Sequence, residues 1–337
     1  MRRFYFAIVL LLCAIFLLAQ MSEVKSIIET IQHGDWRYLL TATILVVAWM
    51  LTNAASYKVI FAGTGIQEKI EKLFMLASAS NFLNIVAPTG GMSGMAIFIS
   101  EARRRGYSPG RVTVAGVLFV WFDYAAFLLV LSLGLIVLIR RGNLNGAEII
   151  ATVVLFLAAS ILAYLLYLGT QSANKFSAAL RALTRAANRV LRPFVHREYL
   201  SEQRADAFAH EASDGLKLLP SRPLYIVMPF FLALTGKILL MLILLLSFLA
   251  FEVPLTPGTL IAGFSLGYLF LIVSPTPAGI GFVEGGLTLA LTTLHVPLGQ
   301  AAVIALAYRG ITLWLPLLIG LYSFRFLTNA KAPELAS

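Results

Sequence analysis

The sequence predicts an all-α polytopic membrane protein with about six spanning helices and two Pro/Gly-broken re-entrant helical hairpins that form an inverted repeat. Three observations carry this. Of 337 residues, 59% are hydrophobic and only 12% are charged, and the mean hydropathy is +0.86, outside the range of soluble domains. Apolar runs long enough to cross a bilayer as a helix, about 20 residues, recur along the chain. Two further apolar segments are interrupted mid-length by Pro-Thr next to glycine or a second proline. A proline in a helix interior costs about 3 kcal/mol and frees carbonyls that hydrocarbon cannot satisfy.

In chain order, spans fall near residues 4–21, 38–61, 111–139, 147–169, 224–250 and 298–327, and the broken segments are 73–100 and 258–294. The first run is read as a retained span and not a secretory signal, because no small-x-small cleavage site precedes the polar stretch 22–37. Cys13 is the single cysteine and lies in that span, so no intrachain disulfide or cysteine metal site is available. The net charge of +10 reads as a topology signal and not as a nucleic-acid surface, since the basic residues flank spans. Arg2, Arg3, Lys58, Lys69, Lys72, Arg103, Arg104, Arg105, Arg111, nine more within 170–223, Arg325 and Lys331 fall on one side. Only Lys25, Arg37, Arg140 and Arg141 fall on the other. The positive-inside rule then puts both termini in the cytoplasm.

The two broken segments echo one another. Val86-Ala87-Pro88-Thr89-Gly90-Gly91 parallels Val273-Ser274-Pro275-Thr276-Pro277-Ala278, Gly94 matches Gly281, and Pro109 parallels Pro297 ahead of a long span bearing one buried charge. Three crossings separate the units and so invert them. Within a single membrane domain, 1–337, unit 1 is 66–139, unit 2 is 258–327, and 170–223 is a basic cytoplasmic connector. The break residues are Pro88, Gly90, Gly91, Pro275, Pro277, Gly279 and Gly281. Transporters built this way bind substrate near the midplane, where half-helix N-termini attract anionic groups. In the connector, Arg181, Arg185, Arg189 and Arg192 share one face of a helix over 172–191, opposite Phe176, Leu180 and Val190. That pattern suits a helix lying in the membrane interface, or a solvated link.

Four charges lie in apolar surroundings: Asp123, Lys237, Glu284 and Arg309. Each costs at least about 2.5–3.5 kcal/mol at the centre of a span, so such residues pair with one another or serve function. Both readings stay open. Glu284 sits in the first turn of the second half-helix, the Arg309 guanidinium fork suits phosphate, and Lys237 supplies a second point charge. Thr89, Ser93 and Thr276 place hydroxyls at the breaks, as donors or caps. Together these seven form the expected substrate-binding set. His33, His196, His210 and His295 fall in loops or at ends. With no histidine–serine pairing, aspartate cluster or glycine-rich nucleotide loop, no catalytic residue, metal or cofactor is expected.

The run Pro275-Thr276-Pro277-Ala278-Gly279-Ile280-Gly281-Phe282-Val283-Glu284, followed by Ala307-Tyr308-Arg309 and Leu315-Pro316-Leu317-Leu318-Ile319-Gly320-Leu321, resembles the flippase-like transmembrane domain of the lysylphosphatidylglycerol synthase/flippase family, the membrane half of the multiple peptide resistance factor. Asn81, Pro88-Thr89-Gly90-Gly91 and Gly106 resemble its other signature, and the likeness covers roughly residues 36–327. It implies a protein of a bacterial-type cytoplasmic (inner) membrane that moves or handles lipids. It gives no support for lipid aminoacylation, because the family's soluble transferase domain has no counterpart in this sequence. Where many members carry a charged residue after the first glycines, this chain has Met92-Ser93-Gly94-Met95, so the resemblance does not name the lipid.

The function expected from all this is flippase- or scramblase-like translocation of an anionic phospholipid, not catalysis. The alternative is a secondary transporter of a small organic anion, and a membrane enzyme acting on lipid phosphate ranks third. The partner expected is membrane phospholipid and not nucleic acid, with room for a separate lipid-modifying enzyme and for homo-oligomers.

Overall fold

The fold is that of a computed structural model, which describes residue 30 and residues 32–86, 92–142, 146–191, 202–217 and 223–329. It is all-helical over these residues. The helices are α1 (Trp36–Gly63), α2 (Ile70–Val86), α3 (Met92–Arg104), α4 (Pro109–Arg141), α5 (Gly146–Gln171), α6 (Ala173–Leu191), α7 (Glu202–Leu216), α8 (Leu224–Ala250), α9 (Pro257–Val273), α10 (Phe282–Thr293) and α11 (Leu298–Asn329). Five of them, α1, α4, α5, α8 and α11, are long and apolar enough to cross a membrane. The span expected at 4–21, with Cys13, lies outside the described residues.

Local sequence explains where helices begin. Ser108 and Thr256 cap α4 and α9, each accepting a hydrogen bond from a backbone N–H three residues on, and each is followed by proline at the first helical position. That proline has no N–H to lose there and a preset φ. Asp35 caps α1, its own N–H donating to the Ala250 carbonyl at the end of α8 at 2.8 Å. α1 and α8 therefore run antiparallel, and their contact continues where Gly236 lets Trp49 and Asn53 lie close against it. Leu39, Ala42 and Val46 share this core with Leu240, Ile243, Leu244 and Phe248.

Each broken segment folds back on itself. Gly263 packs on Leu291, Gly267 on Leu287 and Gly286 on Phe270, so α9 and α10 form an antiparallel hairpin with its tip at 274–281. α2 and α3 meet likewise, with Gly94 against Ser80 and Asn84. The hairpins enter the bundle from opposite ends. α2 starts beside Glu68, which pairs with Arg105 at 2.9 Å just before α4 begins. α9 starts where Arg141, closing α4, donates to Thr256 (2.8 Å) and Thr259 (3.2 Å). The 33 residues of α4 separate those ends by about 50 Å at 1.5 Å per residue.

The connector is more than a solvated link. In α7, Ala209, Ala212, Ser213 and Leu216 are buried, Ser213 donates to the Gly169 carbonyl at 2.7 Å, and Glu211 accepts from Ser108 Oγ and the Gly110 N–H. α7 thus supplies an additional cap for the unpaired N–H groups that open α4.

Candidate functional site

α4 is apolar around Asp123, and α8 is apolar around Lys237. Each carries a charge that an isolated span could not bury, and packing brings the two together. The Lys237 ammonium, 1% exposed, donates to Asp123 Oδ1 at 2.6 Å and to the hydroxyl of Tyr268 on α9, which donates to Asp123 Oδ2 at 3.0 Å. Three helices are pinned at one point, with both carboxylate oxygens occupied.

Beside this triad lies a cavity of about 190 Å³, partly open to its surroundings. α1 contributes Trp49, Asn53 and Tyr57, four residues apart along one face. α2 contributes Ala77, Ser78, Ser80, Asn81 and Asn84, while α4 and α9 add Phe119, Asp123 and Tyr268. Tyr57 is held by stacking on Phe119, with ring centroids 4.1 Å apart. Asn84 has a second role: its Oδ1 accepts from the Gly94 N–H (2.8 Å) and from Ser93 Oγ (3.1 Å), capping the start of α3. A Cβ at Gly94 would meet Ser80 Oγ and the Asn84 amide, so any larger residue there would push those side chains aside.

The second pair lies under the other break. Arg309 Nε donates to Glu284 Oε1 at 2.6 Å, and its Nη2 donates to the Ala278 carbonyl at 2.7 Å. Ala278, Gly279 and Gly281 all have positive φ (54°, 76° and 74°), the left-handed turn that aims this carbonyl back at the guanidinium. For alanine that conformation costs of order 1–3 kcal/mol, and Arg309 helps to hold it. A π-helical turn, Gly310–Trp314, follows directly, and such turns gather at functional sites. Glu284 Oε2 and Trp314 Nε1, both buried, have no hydrogen-bond partner among the described residues.

The predicted site residues therefore separate into two pairs, Asp123 with Lys237 and Glu284 with Arg309. Neither Lys237 nor Arg309 lines the cavity, and each cation already faces its own carboxylate. Ser93 sits at the start of α3, donating to the Leu83 carbonyl at 3.2 Å as well as to Asn84. Thr276 is exposed in the second break and donates to the Ile280 carbonyl at 3.0 Å, closing the turn. Thr89, Pro88, Gly90 and Gly91 lie outside the described residues. Among the described residues no three His, Cys, Asp or Glu side chains come close enough to share a metal ion. What sequence reasoning missed is the polar stripe of the cavity, Asn53, Ser78, Ser80 and Asn84. Polar residues at helical spacing inside apolar helices were the available signal.

Behind the cavity, the next face of α2 lines a groove of about 250 Å³ with Leu76, Leu83, Ile97, Phe324 and Leu327, bounded at one end by Glu101 and Arg104. α2 is clamped to α11 at that level because Gly320 lies against the Ser78 carbonyl and Phe82. One helix thus presents a polar cavity on one side and an apolar, charge-rimmed groove on the next.

Comparison with known proteins fits this architecture. The family model of the lysylphosphatidylglycerol synthase TM region matches residues 4–320. A search of the curated proteins finds no match. Since that match covers nearly the whole chain, both hairpins and both ion pairs included, the protein belongs to the lysylphosphatidylglycerol synthase transmembrane-region family.

Proposed function

We propose that this protein moves a membrane lipid between leaflets, with the head group passing through the cavity between the hairpins and the acyl chains staying in the apolar surroundings. Family membership and the spanning helices give it a membrane function connected with lipid, and translocation is the finer reading. The observation that carries it is a hydrated-type lining, three asparagines with hydroxyls and a carboxylate, in the interior of helices whose outer surfaces are apolar. Hydrocarbon tolerates such groups only where they face protein or a wet path. The apolar groove on the adjoining face of α2 gives a tail somewhere to lie while its head group occupies the polar side.

The hairpins fit this role as re-entrant elements. α9 and α10, with 17 and 12 residues, reach about 25 Å and 18 Å at 1.5 Å per residue, short of the roughly 30 Å hydrocarbon core. On the positive-inside rule the end bearing Arg103, Arg104 and Arg105 faces the cytoplasm. Transport, not catalysis, is the activity assigned.

The test is transbilayer movement of fluorescently labelled phospholipids in proteoliposomes, read by chemical quenching of the outer leaflet. Wild-type protein should raise the rate well above that of protein-free vesicles, and Asn81→Leu, which places a hydrocarbon group in the cavity, should return it toward the background. No acceleration under any imposed pH or sodium gradient would refute the proposal. Accumulation of a water-soluble organic anion in its place would establish the transporter alternative.

A further inference from the structure

We propose that the cavity recognises a neutral, polyhydroxylated group, a sugar or similar polyol, and not a bare phosphate or an ammonium. As the description of a lipid head group this rests on the translocation reading; as a statement about the cavity it stands alone.

Asp123 is the one charged side chain lining the cavity among the described residues, and its charge is already balanced by Lys237 on Oδ1 while Oδ2 accepts a hydrogen bond from Tyr268. Among the described residues no lysine, arginine or histidine lines the wall. A phosphate entering would lose water and meet a carboxylate with no cationic donor, whereas sites for such groups use charge-assisted bonds. An ammonium would meet a carboxylate whose charge is balanced by a lysine that cannot leave, since Lys237 is 1% exposed. Either ion would leave an uncompensated charge in a low-dielectric surround, the situation that buried pairs exist to avoid.

Hydroxyl groups have no such penalty. Each donates one hydrogen bond and accepts others, and the wall offers both kinds. The lone pairs left on Asp123 accept. Asn53 and Asn81 can do either. Asn84 has committed its carbonyl oxygen to Gly94 and Ser93, which leaves its amide hydrogens as the donors. Trp49 adds an aromatic ring, whose negative quadrupole attracts the polarised C–H edges of a sugar ring. The volume, about 190 Å³, equals about six water molecules at ~30 Å³ each, the scale of a single ring.

The experiment compares three lipids with the same dioleoyl tails and different head groups: glucosyl diacylglycerol, phosphatidic acid, and trimethylammonium propane. Binding to the full chain in amine-oxide detergent is read by native mass spectrometry, with soluble methyl glucoside as a fourth ligand. The glucosyl lipid should bind at least ten-fold more tightly than the other two lipids. Asn53→Ala should lower its affinity about ten-fold, the equivalent of ~1.4 kcal/mol, and leave the other two unchanged. Trp49→Leu should do the same through the ring face, so that either variant serves if the other fails to fold. Equal binding of the three lipids, or tightest binding of phosphatidic acid or the ammonium lipid, overturns the inference. Methyl glucoside binding as tightly as the glucosyl lipid supports polyol recognition and overturns the lipid reading. Tight glucosyl-lipid binding with no transbilayer movement of any lipid leaves this inference standing and refutes translocation, while rapid movement with phosphatidic acid bound tightest does the reverse.

Discussion

The pair at the cavity wall is asymmetric, and its two halves should fail differently. Lys237 is 1% exposed, while the Asp123 side chain is 21% exposed toward the cavity. In Asp123→Asn the ammonium remains buried with the Tyr268 hydroxyl and an amide for company, and breaking a buried pair in this sense costs about 3–5 kcal/mol. In Lys237→Met the carboxylate that remains can draw water from the cavity and keeps the Tyr268 bond, so the cost falls to that of an imperfectly satisfied polar group, about 1–3 kcal/mol. The difference of about 2 kcal/mol is roughly a 30-fold change in the unfolding equilibrium at 1.36 kcal/mol per decade. The double substitution removes both charges and should be less destabilised than Asp123→Asn alone. Unfolding in mixed micelles, titrated with sodium dodecyl sulfate and followed by far-UV circular dichroism, measures all three. A Lys237→Met variant as unstable as Asp123→Asn, or a double variant at which the two costs simply add, would refute the reasoning.

Other perturbations give equally specific outcomes. Arg309→Ala removes the bonds to Glu284 and to the Ala278 carbonyl together, so it should cost about 3–5 kcal/mol and exceed Glu284→Gln in the same titration; the reverse order would show that the Ala278 bond does not hold the break. Gly320→Ala drives a methyl into the Ser78 carbonyl and should cost about 1–3 kcal/mol, whereas Gly299→Ala, which meets open space, should be neutral by the same measure. At the charged end, burial raises the Glu101 pKa but hydrogen bonds from Lys72 and Arg105 outweigh it and hold the group below its ordinary 4.5. Its contribution is therefore present above pH 4.5 and lost as pH falls through the lower folded value, so the thermal midpoint of Glu101→Gln should fall less between pH 6 and pH 3 than that of wild type. For topology, in a Cys13→Ser background, cysteines at Ser108 and His210 should label from one side and a cysteine at Thr256 from the other; Ser213, although in the connector, is buried against Gly169 and should not label. Labelling of positions 108 and 256 from the same side would end the inverted arrangement.

The sequence alone determined the spanning helices and their ends, though not the connector helix Glu202–Leu216. A span must carry about twenty apolar residues to cross hydrocarbon, so α8 was legible from 224 to 250 and α1, α4, α5 and α11 to within two residues at either end. Pro-Thr and glycine marked the tip of the second hairpin, at 274–281, because no helix continues through them without losing backbone bonds. The four intramembrane charges were equally plain, since each is costly wherever it sits. Their partners were not. Asp123 and Lys237 stand 114 positions apart and Glu284 and Arg309 stand 25 apart, and which carboxylate meets which cation depends on which helices are neighbours. In a soluble helix the apolar stripe names the buried face, but here nearly every face is apolar, so periodicity cannot tell protein from lipid. For that reason the cavity formed by Asn53, Asn81, Asn84 and Asp123, the burial of Ser213 and the left-handed Ala278 that Arg309 holds were decided only by the tertiary packing.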